Sequence, residues 1–415
     1  MSDMEMQPSP PVGFLNEVYS TRAPTATPTL HDLLRTKITA QGPIGFPDFM
    51  ALALYQPDLG YYARQTRQVG REGDFFTSVS VGPLFGKILA RRFLRGWNEI
   101  GNPTLWRIIE CGANDATLAT DILREITTQS PQAAASLEYV ITEPLPHLRT
   151  IQQKNLEPFG QTTRILPSPD TLSENPLPGF AFGNEVLDAL PCHLIEFQNG
   201  HWHERLVTLD PNDNLTWHTN PTPVSGTLAQ ATAPLSQSFP NGYLTEIRTN
   251  FAAFLSPIRQ ALQNGHMIWI DYGFAQPEYY DPARTRGTLR TFSNHRAAEN
   301  PLETPGLIDL TAHVDFTALA QTAISLGCPP TTFQSQGNWL TREARPILLE
   351  MEETASPPDL SLLKQFQTLT HPAHLGARFH VLELACNHTT PTPASLPPTE
   401  LHRLALRSCT PPIPQ

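Results

Sequence analysis

The sequence predicts an α/β protein built on a mostly parallel sheet, and three observations carry that expectation. Apolar β-rich runs alternate with amphipathic segments, as in "TLWRIIECG" before "ATLATDILREI" and "LEYVITEP" before "LPHLRTIQQKNL". Each run is stopped by an acid or a glycine. Strands separated by helical segments imply βαβ crossovers, which gather ligand-facing loops at the carboxyl ends of the strands.

The first 28 residues are a proline-rich tail. From 29 to 104 the chain reads as a helical region. "LHDLLRTKITAQGPIGFPDFMALALYQ" has two helical patches split by a Gly-Pro-Ile-Gly turn, and helical periodicity returns from about Leu84. A first part of the α/β core spans 105–192 and a second part 246–388. "GFAFGNEVLDALP" and "GHMIWIDYG" supply further strands, and "RFHVLELAC" reads as a late antiparallel strand at the sheet edge. Residues 193–245 interrupt this core. "HLIEFQNGHWHERLVTLDPNDNLTWHT" reads as a β meander, with Asn199-Gly200 as hairpin signal and "DPNDN" as a turn; the Pro/Ser/Thr stretch after it reads as loop. Such a meander fits an oligomer arm, as in a homodimer, or a lid facing a substrate. Residues 389–415 form a second proline-rich tail. The 42 prolines are about twice the usual share and crowd into 8–28, 211–240 and this tail.

A net charge of −11 argues against general affinity for nucleic acid or anionic membrane. No apolar run reaches the ~18 residues of a membrane span. "MSDMEMQPSPPVGF" resembles neither a secretory signal nor an Arg-rich transit peptide, so a cytoplasmic protein is expected. Cys111, Cys192, Cys328, Cys386 and Cys409 form no C-x-x-C pair, so buried reduced thiols are expected and no metal site.

The chemistry is expected at the strand ends. Glu110, Glu143, Glu185 and Asp271 each close an apolar run, and in a parallel sheet these ends share one rim. An acid ending the second strand can accept hydrogen bonds from ribose hydroxyls. Glu143 follows Gly112 by 31 positions, longer than the usual ~20 because a helix and loop intervene. Alternatively, strand-end acids cap whatever follows them. The turn "ECGANDA" places Gly112, Asn114 and Ala116 where a nucleotide-binding turn has three glycines. Asn tolerates the left-handed region, and Ala is the smallest replacement for a glycine needed only for packing. "GREGDFFTSVSVGPLFG" offers amides, a carboxylate and hydroxyls ahead of a helix. Its plainer role is an N-cap, with Ser78 or Ser80 serving the helix from Leu84. "FGNEVLDALP" sets Glu185 and Asp188 three apart, able to grip a guanidinium through charge-assisted bonds. Arg284, Arg286, Arg290, His295 and His313 lie in a long polar stretch; His313 reads as packed rather than metal-bound, and Asp315 as the N-cap of "FTALAQTA".

Taken together, "GYY", "GDFFTS…FG", "ITEPLPHLRTIQ", "GNEVLDALP", "WHER", "IDYGF" and "RGTLRTF…H…NPLETPG…DLTAHVDFTAL" resemble the MidA-like S-adenosylmethionine-dependent methyltransferases over roughly residues 30–385. That family includes a mitochondrial complex I assembly factor that methylates an arginine. The resemblance implies a Rossmann-like class I methyltransferase sheet and S-adenosyl-L-methionine as cofactor. It implies that Gly73, Asp74, Thr77 and Ser78 close over the cofactor, and that Glu110, Gly112 and Asn114 form the turn. Glu143 would hold the ribose, and Asn184, Glu185 and Asp188 would line the meeting place of donor and acceptor. The expected activity is protein arginine N-methylation, with a complex I subunit as one candidate partner. The alternative is an inactive scaffold or assembly protein on the same fold, which the glycine-poor turn favours. An RNA methyltransferase fits poorly, since no aromatic-basic stacking stretch occurs.

Overall fold

The computed structural model describes residues 28–64, 77–235, 239–293, 296–297, 300–353, 359–386, 400–404 and 406. The central sheet has eight strands, seven of them in one continuous path. These are β1 (Trp106–Cys111), β2 (Leu137–Thr142), β3 (Thr163–Leu166), β4 (Leu177–Asn184), β5 (Leu262–Phe274), β6 (Pro330–Ser335) and β7 (Phe379–Cys386). Their spatial order is β3-β2-β1-β4-β5-β7-β6. β1 to β5 run parallel to their neighbours, while β7 lies antiparallel between β5 and β6. The two-residue strand Val314–Asp315 pairs with the end of β5.

β1 is buried at every position, which is why "WRIIEC" shows no alternation: both faces of a parallel sheet are covered. On one face lie α3 (Leu84–Glu99) and α4 (Thr117–Gln129), packing Phe85, Phe93, Ile122 and Ile126 onto Phe180, Phe182 and Ile268. On the other, α6 (Phe251–Ala261) and α7 (Phe316–Ser325) pack Leu255, Phe316 and Leu319 against Ile109, Trp269 and Leu382. The strand order reverses between β1 and β4, and that switch point positions the site.

The N-terminal helices α1 (Leu30–Gln41) and α2 (Phe46–Tyr55) share a core with Leu194 and Val207 of the meander. The short strand Ile44–Gly45 pairs with the meander strand His201–Leu209. The hairpin at Asn199-Gly200 forms as expected, both residues having positive φ, +50° and +83°.

Four sequence expectations change. "RFHVLELAC" is antiparallel but not at the edge; the polar "PTTFQS" takes the edge, where a strand needs only one apolar face. The stretch after the meander is not all loop, since Gly226–Thr232 is helical. Cys328 and Cys386 form a disulfide, because Cys328 just before the edge strand β6 meets the end of its antiparallel neighbour β7, bringing together residues 58 apart in sequence. Cys111 and Cys192 are buried free thiols as expected; Cys409 lies outside the described residues. The expected cap of α3 is also different. Thr77 caps the short helix Ser78–Val81 with Ser80 as its partner, and Pro83, which makes no side-chain cap, precedes α3. Among the described residues, no helix is long and apolar enough to cross a membrane, and no cluster of His, Cys, Asp and Glu could hold a metal.

Candidate active site

Two strand-end segments meet at the switch point: the turn 112–116 after β1 and the loop 184–188 after β4. They touch directly. A Cβ on Gly112 would lie 2.6 Å from Val186 Cγ2, and Gly112 has φ +68°, so both space and backbone demand glycine there. Asn114 and Ala116 also have left-handed φ, +47° and +65°. Ala116 is therefore not merely a packing residue, as the sequence suggested; it adopts a conformation that costs an L-residue about 1–2 kcal/mol.

The turn is held from outside. α5 (Pro146–Asn155) supplies Gln152, whose Nε2 donates to Asn114 O at 2.8 Å, and Asn155, whose Nδ2 donates to Asp115 O at 2.8 Å. Asp115 Oδ1 accepts the Thr117 amide and starts α4. Gln152 Nε2 also reaches Glu143 Oε2 at 3.3 Å, while Glu143 Oε1 accepts the Leu145 amide. Glu143 is buried, and desolvation pushes its carboxyl up to about 7. Gln152 is fully buried, and its Oε1 has no partner among the described residues, which leaves an acceptor beside Glu143. Glu110 faces the interior instead of the rim. It accepts the Tyr139 hydroxyl at 2.6 Å, and burial raises it to about 8.

The loop after β4 is held from inside. Asp271, fully buried at the end of β5, accepts the amides of Val186, Leu187 and Asp188 on Oδ2 at 2.8–3.2 Å. Of the four rim acids, Asp271 thus takes the capping role. Arg248 binds the same loop through carbonyls: Nε to Leu190 O, Nη2 to Asp188 O and Ala312 O, Nη1 to His313 O. None of these bonds uses the side chains of Glu185 and Asp188. Desolvation and Asp188 push Glu185 up to about 8, offset partly by donation from Asn184 Nδ2 at 3.0 Å and from the Ser78 amide. Asp188 is raised to about 6 by burial, with Arg248 pulling it down. Asn184 Oδ1 is buried without a partner among the described residues.

Ser78 therefore approaches this loop by its backbone. Its hydroxyl points elsewhere, donating to Gln336 Oε1 at 3.1 Å. Thr77 Oγ1 pairs with Ser80 Oγ. Gly73, Asp74 and His295 lie outside the described residues.

Sequence reasoning missed the residues that frame this rim. Tyr55 stacks on Tyr62 at 5.6 Å, donates to Ala189 O, and feels the charges of Asp309, Asp188 and Glu143. Tyr62 hydrogen-bonds Asp309. The "GYY" motif was the available signal. "RGTL" wraps a buried carboxylate: Glu246 accepts the amides of Thr288 and Leu289 and the Thr288 hydroxyl, and the Thr288 oxygen accepts the His313 amide. His313 stacks on Tyr272 and burial lowers it to about 4, so it is a neutral packed ring, as expected.

A doubly wound sheet in the order β3-β2-β1-β4-β5-β7-β6, with a left-handed turn, a strand-end acid and a carboxylate pair at its switch point, has the architecture of a class I methyltransferase. A family model for S-adenosyl-L-methionine-dependent methyltransferases matches residues 88–334, and the chain belongs to that family. It is similar to the mitochondrial protein arginine methyltransferase NDUFAF7 homolog of Drosophila melanogaster, 28% identical over 88% of this chain and 86% of the relative. It is likewise 28% identical to Homo sapiens protein arginine methyltransferase NDUFAF7, mitochondrial, over 86% of this chain and 83% of the relative. A crystal structure of a Burkholderia thailandensis protein bound to S-adenosyl-homocysteine superposes with TM-score 0.74 at 29% identity, covering 86% of this chain and 91% of that one. The protein is an S-adenosylmethionine-dependent methyltransferase. The relatives' mitochondrial names overturn the cytoplasmic expectation. That expectation rested on what residues 1–14 lack, and a missing leader signature is no positive signal for a compartment.

Proposed function

We propose that the protein methylates an arginine nitrogen of a partner protein. The observation that carries this reading is the cluster of Glu185, Asp188 and Asp271 at the switch point, where burial raises all three and repulsion by neighbouring acids adds to Glu185 and Asp271. Arg248 is a cation already beside Asp188, but its donations go to backbone carbonyls, so a second opposite charge within a few ångströms would offset the desolvation and return the acids to carboxylates. A guanidinium fits, being planar, bidentate and attracted to aromatic faces such as those of Tyr55 and Tyr62. The relatives' names supply the same acceptor. The family resemblance makes a complex I subunit one such partner.

When bound, S-adenosylmethionine supplies an electrophilic methyl group. The turn Gly112–Ala116 with Asn114 within it, Glu143 and the Thr77–Ser78 segment would hold it, while Glu110 is spent inward on Tyr139. The Gln152 Oε1, without a partner among the described residues, and the acceptor capacity left on Glu143 suit a hydroxyl-bearing ribose. Asn184, Glu185 and Asp188 would orient the guanidinium and localise its charge, since a protonated guanidinium is a poor nucleophile. Glu185 or Asp188 then receives the proton that the acceptor nitrogen sheds.

Mass spectrometry of methylarginine in cells with and without the protein should show one or more marks that disappear. An unchanged arginine profile, with loss of methylation on another residue type, overturns the arginine reading. In vitro, Glu185→Gln should lower kcat by about 10²–10⁴ while cofactor affinity stays within about threefold.

A further inference from the structure

The turn after β1 holds three consecutive alternate positions in the left-handed region with only one glycine among them. Asn visits this region at modest cost, but Ala does not. Something outside the turn must supply what glycine would have given. Ala113 O accepts the turn's own Ala116 amide at 2.7 Å and Ala116 O accepts from Thr120 as α4 begins, while the two carbonyls between them, of Asn114 and Asp115, are held from α5. Gln152 and Asn155 are three apart, hence neighbours on one helical face. They donate to the successive carbonyls of Asn114 and Asp115, each at 2.8 Å. The same Gln152 amide reaches Glu143, so a single side chain fixes both the turn and the strand-end acid.

We propose that Gln152 and Asn155 form a clamp on α5 that imposes the left-handed cofactor turn, replacing the conformational freedom of the missing glycines. Both are positioning residues. In a trans peptide the amide points opposite to the carbonyl before it, so the clamped carbonyls of 114 and 115 turn the amides of Asp115 and Ala116 away from α5. The Ala116 amide closes the turn on Ala113 O at 2.7 Å, and among the described residues nothing takes the amide of Asp115. A carbonyl released from the clamp would let Asn114 and Ala116 relax to negative φ, and the amides would lose their common direction. The inference rests on the reading that this turn and Glu143 hold the cofactor; it is independent of which acceptor is methylated.

The test uses the full chain and titration calorimetry with S-adenosyl-homocysteine. Asn155 is exposed, so Asn155→Ala leaves the core intact. Its dissociation constant should rise about three- to tenfold, the effect of one lost hydrogen bond. Gln152→Met, which keeps the volume but removes both donations, should weaken binding more than tenfold (about 1.4 kcal/mol). The decisive arm is rescue. In an Asn114→Gly/Ala116→Gly background, the Asn155→Ala penalty should shrink below about twofold, because glycine reaches the left-handed region unaided. A purely structural hydrogen bond would cost the same in both backgrounds. Circular dichroism reports whether Gln152→Met folds, and the Asn155 arm stands without it. Parent-like binding by Asn155→Ala, or a penalty undiminished by the two glycines, overturns the clamp. Glu143→Ala separates the underlying reading: if it also binds like the parent, the cofactor does not sit here, and if it alone weakens binding, only the clamp fails.

Discussion

The turn after β1 and the loop after β4 lie side by side on one rim, and both carry non-glycine residues with positive φ: Asn114 and Ala116 in one, Glu185 in the other. They are restrained in opposite senses. The turn is held by its carbonyls, through Gln152 and Asn155, and among the described residues its Asn114 and Asp115 amides have no partner. The loop spends three successive amides on Asp271 and carbonyls on Arg248, and neither restraint uses the side chains of Glu185 and Asp188. Under the proposed function, one segment would bind with its backbone and the other would react with its side chains. Which groups the scaffold consumes decides which role is left.

Breaking the inner restraint should have the largest effect. Asp271→Ala strands three amides next to a fully buried site, each costing about 1–3 kcal/mol when unsatisfied. The unfolding free energy should fall by about 3 kcal/mol or more in urea titration. Methyl transfer should be lost while the residual folded protein still binds S-adenosyl-homocysteine. Loss of that binding to the same degree as activity would mean that the two segments are not separately restrained.

A second effect comes from pH. The Glu143 carboxyl sits near 7 in the folded protein against an ordinary value near 4.5, so the folded state holds that proton more tightly than the unfolded one. Its contribution therefore lowers stability as pH rises from about 4.5 to about 7, and Glu110 and Glu185, both near 8, act in the same direction. Ribose hydroxyls favour the carboxylate, so cofactor affinity should rise with pH up to about 7 and then level off. Glu143→Gln should flatten that profile in calorimetry; an unchanged profile would remove Glu143 from the binding site.

The smallest effect sharpens the outer restraint. Ala116→Gly removes the left-handed penalty but adds freedom to the unfolded chain, and the two nearly cancel. Thermal unfolding should show a gain of at most about 1 kcal/mol. A loss would mean that the buried Ala116 methyl contributes more by packing than its backbone costs.

Much of this was legible in the sequence. "WRIIEC", "LEYVIT" and "GHMIWID" announce buried parallel strands, and the acids that end them mark the rim. The directions of those acids were not legible. Glu110 turns in toward Tyr139 and Asp271 turns under its neighbour's loop, because a strand-end carboxylate follows whichever donors the fold brings near. α5 conceals its role for a related reason. Periodicity favours Ile151 as the core residue, yet Ile151 is 41% exposed and Gln152 is fully buried, the polar side chain being drawn in by the turn it supports. Cys328 and Cys386 likewise look unrelated until the strand order makes them neighbours.

The meander looks like a detachable insertion, but Glu246 and Arg248 at its closing end argue otherwise. Glu246 organises Thr288 and thereby the His313 segment, and Arg248 fastens the loop that bears Asp188. A chimera that exchanged this insertion for that of a relative would therefore graft part of the reaction centre along with the ornament. The seam where the hairpins rejoin the core is common property of both.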